Sequence, residues 1–264
     1  MGQTGVGIFC ALSGYLAFRG DQSRPWQWLK RRLEQLFPAY WVVTIAGFAL
    51  TWLVGGKQIS WSLFISQMLG TGYFTHGWAL VNVVSWFISL ILLCYLLAAV
   101  AKHSHRAQMV LGVAALISGG LLLAKAEVDL SRHVFTFALA GIIAIRGVTQ
   151  LATVALVGIL FTLALVASAQ FAYAALSLSF LGVGLAWQAP ASVMIRLASG
   201  YTYEFFLVHG LFLVAFTRLM PTPVIVSILL AVFVAAVAAF FLRPFARMLA
   251  STLSKRIRAM PPRV

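Results

Sequence analysis

Thr202–Gly210, TYEFFLVHG, places Glu204 and His209 inside an apolar run, in a chain whose only other acids are Asp21, Glu34, Glu127 and Asp129. An ionisable side chain at membrane depth is costly, so it normally faces a bundle interior or a watery cavity and marks function. If a helix starts near Gly200, His209 lies about 14 Å along it, close to the middle of a bilayer. An imidazole accepts and releases protons near neutral pH, the property needed to activate a hydroxyl. Glu204 is five residues away, roughly 140° around a helix, so the two do not share a face. It lies nearer the helix start, where pairing with Arg32 or another surface base is the favoured reading. A structural His209 whose ring is simply satisfied by neighbours fits the sequence equally well.

Other polar side chains fall in patterns. Asn82, Ser85, Trp86 and Ser89 are spaced i, i+3, i+4, i+7, one face of a helix, which must look inward because lipid cannot satisfy an amide and two hydroxyls. They serve either as donors in a site or as interhelical glue. Lys30, Arg31 and Arg32, beside Trp26, Trp28 and Tyr40, can grip a phosphorylated donor at the membrane surface. The same residues also make an orientation signal with an aromatic belt. His76 is a secondary candidate for handling an acceptor. His103 and His105 offer two metal ligands without a third, so no metal site is expected.

These residues must be positioned by membrane helices. Hydrophobic residues make up 62% of the 264 and charged residues 9%, too apolar for a soluble domain. The apolar runs predict an all-α polytopic bundle of about nine transmembrane helices matching a ~30 Å hydrocarbon core. They lie near 4–19, 39–56, 80–101, 108–125, 133–148, 150–168, 171–189, 201–219 and 222–243, with Pro38 opening the second. Trp61–Phe74 reads as a loop against the outer surface. No linker or repeat divides the chain, so residues 1–264 read as one membrane domain.

The net charge of +14 suggests nucleic acid, but its distribution argues against it. With the N-terminus outside, every basic residue except Lys57, Lys125, Arg132 and Arg218 falls on one side. That is the positive-inside pattern, with a cytoplasmic C-terminus in a cell (inner) membrane. The tail after Arg243 is basic and suits anionic headgroups. The start lacks the basic region of a signal peptide. Cys10 and Cys94, in different spans at unequal depths, read as buried thiols rather than a disulfide.

Several stretches together resemble the membrane-bound acyltransferase-3 family. They are Gly5–Tyr15 (GVGIFCALSGY), Lys30–Trp41 (KRRLEQLFPAYW), Ser85–Tyr95 (SWFISLILLCY), Phe137–Ile145 (FALAGIIAI), Thr202–Gly210 and Arg243–Met248. The resemblance implies transfer of an acyl group, usually acetyl, from cytoplasmic acyl-CoA to a hydroxyl of an envelope glycan or lipid-linked acceptor, with no bound cofactor. It places Arg32 in the donor-side motif, Trp86 in the central helix, and Tyr203, Glu204 and His209 in the late helix. The chain departs from the pattern at Gln35, where the family has a second arginine, and at Leu242, where it has an acid. The resemblance also implies an earlier helix bearing a basic residue and a histidine, and this sequence begins where that helix would end. Two alternatives stand beside acyl transfer: a proton-coupled transporter or flippase using His209 and Glu204, and a non-catalytic membrane scaffold.

Overall fold

The structure is a computed structural model that describes residues 2–20, 23–55, 60–147, 150–186, 201–210, 212–213, 216 and 224–259. Among these residues it is helical, with short turns and no strand. The helices are α1 (Gly2–Arg19), α2 (Pro25–Gly55), α3 (Trp61–Met68), α4 (Gly72–His76), α5 (Trp86–His103) and α6 (Ala107–Leu123). They continue with α7 (Val128–Arg146), α8 (Gln150–Val166), α9 (Gln170–Ala186), α10 (201–210) and α11 (Val224–Ala259), and a 3-10 turn, Val83–Ser85, precedes α5. Among the described residues, four helices are long and apolar enough to cross a membrane, within Pro25–Leu53, Trp86–His103, Val128–Arg146 and Ile225–Leu249. Shorter apolar helices occupy Ala107–Leu123, Leu156–Val166 and Gln170–Ala186. The ends of the spans expected at 171–189 and 201–219, with Lys57, Arg196 and Arg218, lie outside the described residues.

Three local differences from the sequence reading have physical causes. The second helix begins at Pro25, not beside Pro38, because a proline at the first helical position sacrifices no bond. Pro38 sits inside that helix, where its missing N–H releases the carbonyl four residues earlier. The stretch expected as a surface loop contains α3 and α4 instead. The last carbonyls of α3 have side-chain partners: Tyr40 Oη donates to the Gln67 carbonyl (2.5 Å) and Trp41 Nε1 to the Met68 carbonyl (2.8 Å). Such partners complete the carbonyls a helix C-terminus leaves unsatisfied. The seventh helix starts at Val128, so Asp129 and Arg132, three residues apart, pair on its first turns.

The chain forms two compact units. The first comprises Met1–Leu29 and Leu90–Ala189. In it α1 packs against α7 and α9, α6 against α7, and α8 against α9. Gly14 makes the α1–α7 approach possible, since a Cβ there would collide with the Phe137 carbonyl. Small residues commonly admit such close backbone contact between membrane helices. Two stretches that resemble the family, Gly5–Tyr15 and Phe137–Ile145, therefore meet at this contact. Cys10 and Cys94 are buried free thiols in this unit, and they lie beside each other rather than at separate depths.

The second unit comprises Lys30–Ser89 and Pro190–Val264. It holds Lys30, Arg31, Arg32, Tyr40, His76, Asn82, Trp86, Ser89, Tyr203, Glu204 and His209, whereas Trp26, Trp28, His103 and His105 belong to the first unit.

Candidate functional site

In the second unit, α10 is fastened along one face. Tyr203, Phe206, Leu207 and Gly210 recur at i, i+3, i+4, i+7, the spacing of a single helical stripe. Tyr203 Oη donates to the Leu36 carbonyl at 2.8 Å, and Asn82 Nδ2 donates to the Leu207 carbonyl at 3.4 Å. Phe206 meets Phe87 edge to face, with centroids 4.7 Å apart. Gly210 lies against Val84, where an added Cβ would collide with a methyl group. At the helix start, Tyr201 stacks on Phe240 and carries the Arg243 guanidinium 4.6 Å from its ring centroid. This fastening leaves Glu204 and His209 on opposite flanks of the docked stripe.

His209 Nδ1 lies 2.6 Å from the Phe206 carbonyl. A carbonyl only accepts, so Nδ1 carries the proton and Nε2 holds the lone pair. The ring is nearly parallel to Phe205 and tilted against Phe206. Glu204 does not repeat the pairing expected for it: its buried Oε2 has no hydrogen-bond partner among the described residues. Four residues on, Val208 enters the wall of an apolar concavity of about 710 Å³ built from α2, α10 and α11. Val43, Phe212, Phe241 and Leu242 are also part of that wall.

Asn82, Ser85, Trp86 and Ser89 are all buried, as an inward stripe requires. Their roles differ from those of four points on one helix. Asn82 precedes α5, and its Oδ1 accepts from the Val84 N–H (3.1 Å) while its carbonyl accepts from Ser85 Oγ (2.6 Å). Ser89 Oγ donates to the Gly70 carbonyl (2.7 Å) and accepts from the Tyr73 N–H (3.3 Å). Trp86 closes a triangle with Tyr73 and Trp78. His76 Nδ1 is held by Thr75 Oγ1 at 2.8 Å and Ser66 Oγ at 3.2 Å. Tyr40 is buried beside α3, with the Thr44 and Ser85 hydroxyls close to its own. Gln67, fully buried, has neither amide atom hydrogen-bonded among the described residues.

The basic residues lie lower on α2. Lys30 forms an exposed pair with Glu34 at 3.9 Å, Arg31 is exposed and Arg32 half-buried. Tyr40 is about 15 Å further along the helix than Lys30, so it does not share their surface. The structure thus joins Asn82 and Tyr203 directly to the α10 backbone. It gathers Tyr40, His76, Trp86 and Ser89 around α3 and α4.

A second polar cluster, in the first unit, is one the sequence did not single out. His133, almost fully buried, donates from Nε2 to Gln3 Oε1 at 3.0 Å. Arg132 pairs with Asp129, donates to Gln170 Oε1 at 2.8 Å and faces the Tyr173 ring. The available signal was an Arg-His pair leading into an apolar helix. Its partners are remote in sequence, and adjacency alone does not name them.

The sequence matches the acyltransferase-3 family, described as an acyltransferase domain, over residues 1–243. No curated protein matches it. No solved structure matches it either.

Proposed function

From the premise that this chain belongs to the membrane acyltransferase-3 family, we propose that it moves an acyl group, acetyl in the first instance, from cytoplasmic acyl-CoA to a hydroxyl of an envelope glycan or lipid-linked acceptor. Family membership supports membrane acyl transfer in general, and the residues supply the rest of the reading. The observation that carries it is the His209 imidazole, whose Nδ1 proton is committed to the Phe206 carbonyl. Nε2 is left as the base. It takes the acceptor's hydroxyl proton while that oxygen attacks the thioester carbonyl. The tetrahedral oxyanion draws on polar donors such as the second amide hydrogen of Asn82. Collapse breaks the carbon–sulfur bond, and the CoA thiolate leaves with the proton returned by His209.

Lys30, Arg31 and Arg32 hold the donor's phosphates, and Tyr40, higher on the same helix, keeps α3 in place. Glu204, on the same helix as His209, is the second catalytic candidate, and the apolar wall that includes Val208 suits the acyl group. His76, Trp86, Ser89 and Tyr203 shape the acceptor side. With α1, α6, α8, α9 and α10 crossing beside the four longer helices, the chain makes about nine spans of an inner membrane. The charge asymmetry then puts the N-terminus outside and the C-terminus in the cytoplasm.

The test uses membrane vesicles with and without the protein, given acetyl-labelled acetyl-CoA. Label should enter envelope glycan or lipid-linked acceptor with one CoA released per acetyl. His209→Gln should lower the rate by about 10²–10⁴, the usual worth of a positioned acid–base group. No difference in label between the two membranes would sink acyl transfer. Full activity in His209→Ala would remove this histidine as the base.

A further inference from the structure

Between α4 and α5 the second unit carries an aromatic turn that internal packing does not use up. Trp78 is 44% exposed, although its ring centroid lies 5.4 Å from that of Tyr73 and 5.5 Å from that of Trp86. Trp86 is itself buried, so the exposed indole is backed by a ring anchored at the start of α5. The backbone holds it there. Gly77 takes a φ of 57°, and its N–H donates to the Tyr73 carbonyl at 2.9 Å. The Ala79 N–H donates to the His76 carbonyl at 3.1 Å, and the Leu80 N–H to the Trp78 carbonyl at 2.8 Å. An indole fixed in this way loses little conformational freedom when a ligand covers it.

A polar edge lies next to it in the chain. His76, two residues before Trp78, is half-buried. Its Nδ1 is taken by Thr75 Oγ1 and Ser66 Oγ, and its Nε2 makes no hydrogen bond among the described residues. A ligand hydroxyl both donates and accepts, so it satisfies Nε2 in either tautomer. From Trp61 to Ser89 the chain contains no Asp, Glu, Lys or Arg. This turn therefore brings no formal charge with which to grip a phosphate or an ammonium group. It suits a neutral ligand with an apolar face and hydroxyls around its rim.

A pyranose ring has that form. Its axial C–H bonds make a face apolar, and their weakly positive hydrogens favour the negative face of an aromatic ring. Its equatorial hydroxyls project sideways, within the province of a pinned imidazole. An aromatic anchor at the membrane interface needs neither the fixed turn nor the imidazole.

We propose that Trp78 selects the acceptor: a neutral pyranose stacks on its exposed surface, and one sugar hydroxyl bonds His76 Nε2. The role of that sugar as acceptor rests on the acyl-transfer reading above, and it commits the acceptor to a glycan hydroxyl rather than a charged lipid headgroup.

The test uses the full chain in nanodiscs without acyl-CoA, with empty discs as the blank. Saturation-transfer NMR is recorded with the methyl pyranosides of glucose, galactose, mannose and rhamnose, and with glycerol 1-phosphate as the headgroup probe. At least one pyranoside should take up saturation, most strongly at its ring C–H protons, and glycerol 1-phosphate should not. Trp78→Leu should lower that transfer roughly fivefold, within the range that an aromatic contact supplies. Trp78→Phe keeps a ring and should retain most of it, which separates loss of stacking from loss of folding. Trp61→Leu removes another exposed tryptophan and should change nothing. In the vesicle assay Trp78→Leu should raise KM for the acceptor and leave KM for acetyl-CoA unchanged. Wild-type protein that binds no pyranoside, preferential binding of glycerol 1-phosphate, undiminished transfer in Trp78→Leu, or an equal loss in Trp61→Leu would each overturn the proposal. Acetyl label that moves without pyranoside binding would remove this inference alone. Pyranoside binding in membranes that move no label would sink acyl transfer and leave the sugar site standing.

Discussion

The Asn82 side-chain amide donates to the main-chain carbonyl of Leu207 at 3.4 Å while its oxygen accepts from the Val84 N–H. One side chain thereby ties the approach to α5 to the middle of α10, two residues before His209. Asn82→Ala would leave both backbone groups buried without that partner. We expect a loss of about 1–2 kcal/mol, seen as a lower melting temperature in detergent. An unchanged melting temperature would show that the amide carries no docking energy.

Gly210 and Val84 should behave as a coupled pair. Gly210→Ala places a methyl group into the Val84 side chain and should destabilise by about 1–3 kcal/mol, the usual cost of overpacking. Adding Val84→Ala should recover part of that loss, because contacting residues are non-additive. Strict additivity in the four-protein thermal cycle would contradict the contact.

Glycines on α1 offer a graded comparison. At Gly14 the obstacle to a Cβ is the Phe137 backbone, whereas at Gly7 it is the Ser177 hydroxyl. A side chain yields more readily than a helix backbone, so Gly14→Ala should lower folded yield more than Gly7→Ala. Ser177→Ala should relieve only the Gly7 variant. Equal loss at both positions would count against backbone contact at Gly14.

The adjacent thiols give a labelling prediction. Cys10 and Cys94 are both fully buried, so a membrane-permeant maleimide should modify neither in native membranes and both after denaturation. Rapid native labelling of either would show that this core opens.

The sequence makes the burial of Asn82, Ser85, Trp86 and Ser89 legible, because hydrocarbon offers no partners to amides and hydroxyls. It does not reveal that Asn82 stands before the helix and works through its own backbone, since i, i+3, i+4, i+7 spacing is compatible with a turn. Hydropathy likewise marks the apolar part of α2 but misses its start, because Pro25–Leu36 is rich in Lys, Arg and Gln. Helical geometry is indifferent to that polarity. The docked stripe of α10 follows from its periodicity, yet the partners Leu36 and Asn82 do not, being far away along the chain. The pairing of His133 with Gln3 is hidden for the same reason: they are separated by 130 positions.

The bare backbone contact between Gly14 and the Phe137 carbonyl also constrains biogenesis. Chains emerge N-terminus first, so α1 is made before the helix it fits against has been synthesised. Until then the surface at Gly14 and the Gln3 amide lack the Phe137 backbone and the His133 ring that meet them in the folded unit. That interval leaves α1 open to mispairing or quality-control proteolysis until α7 arrives to cover it.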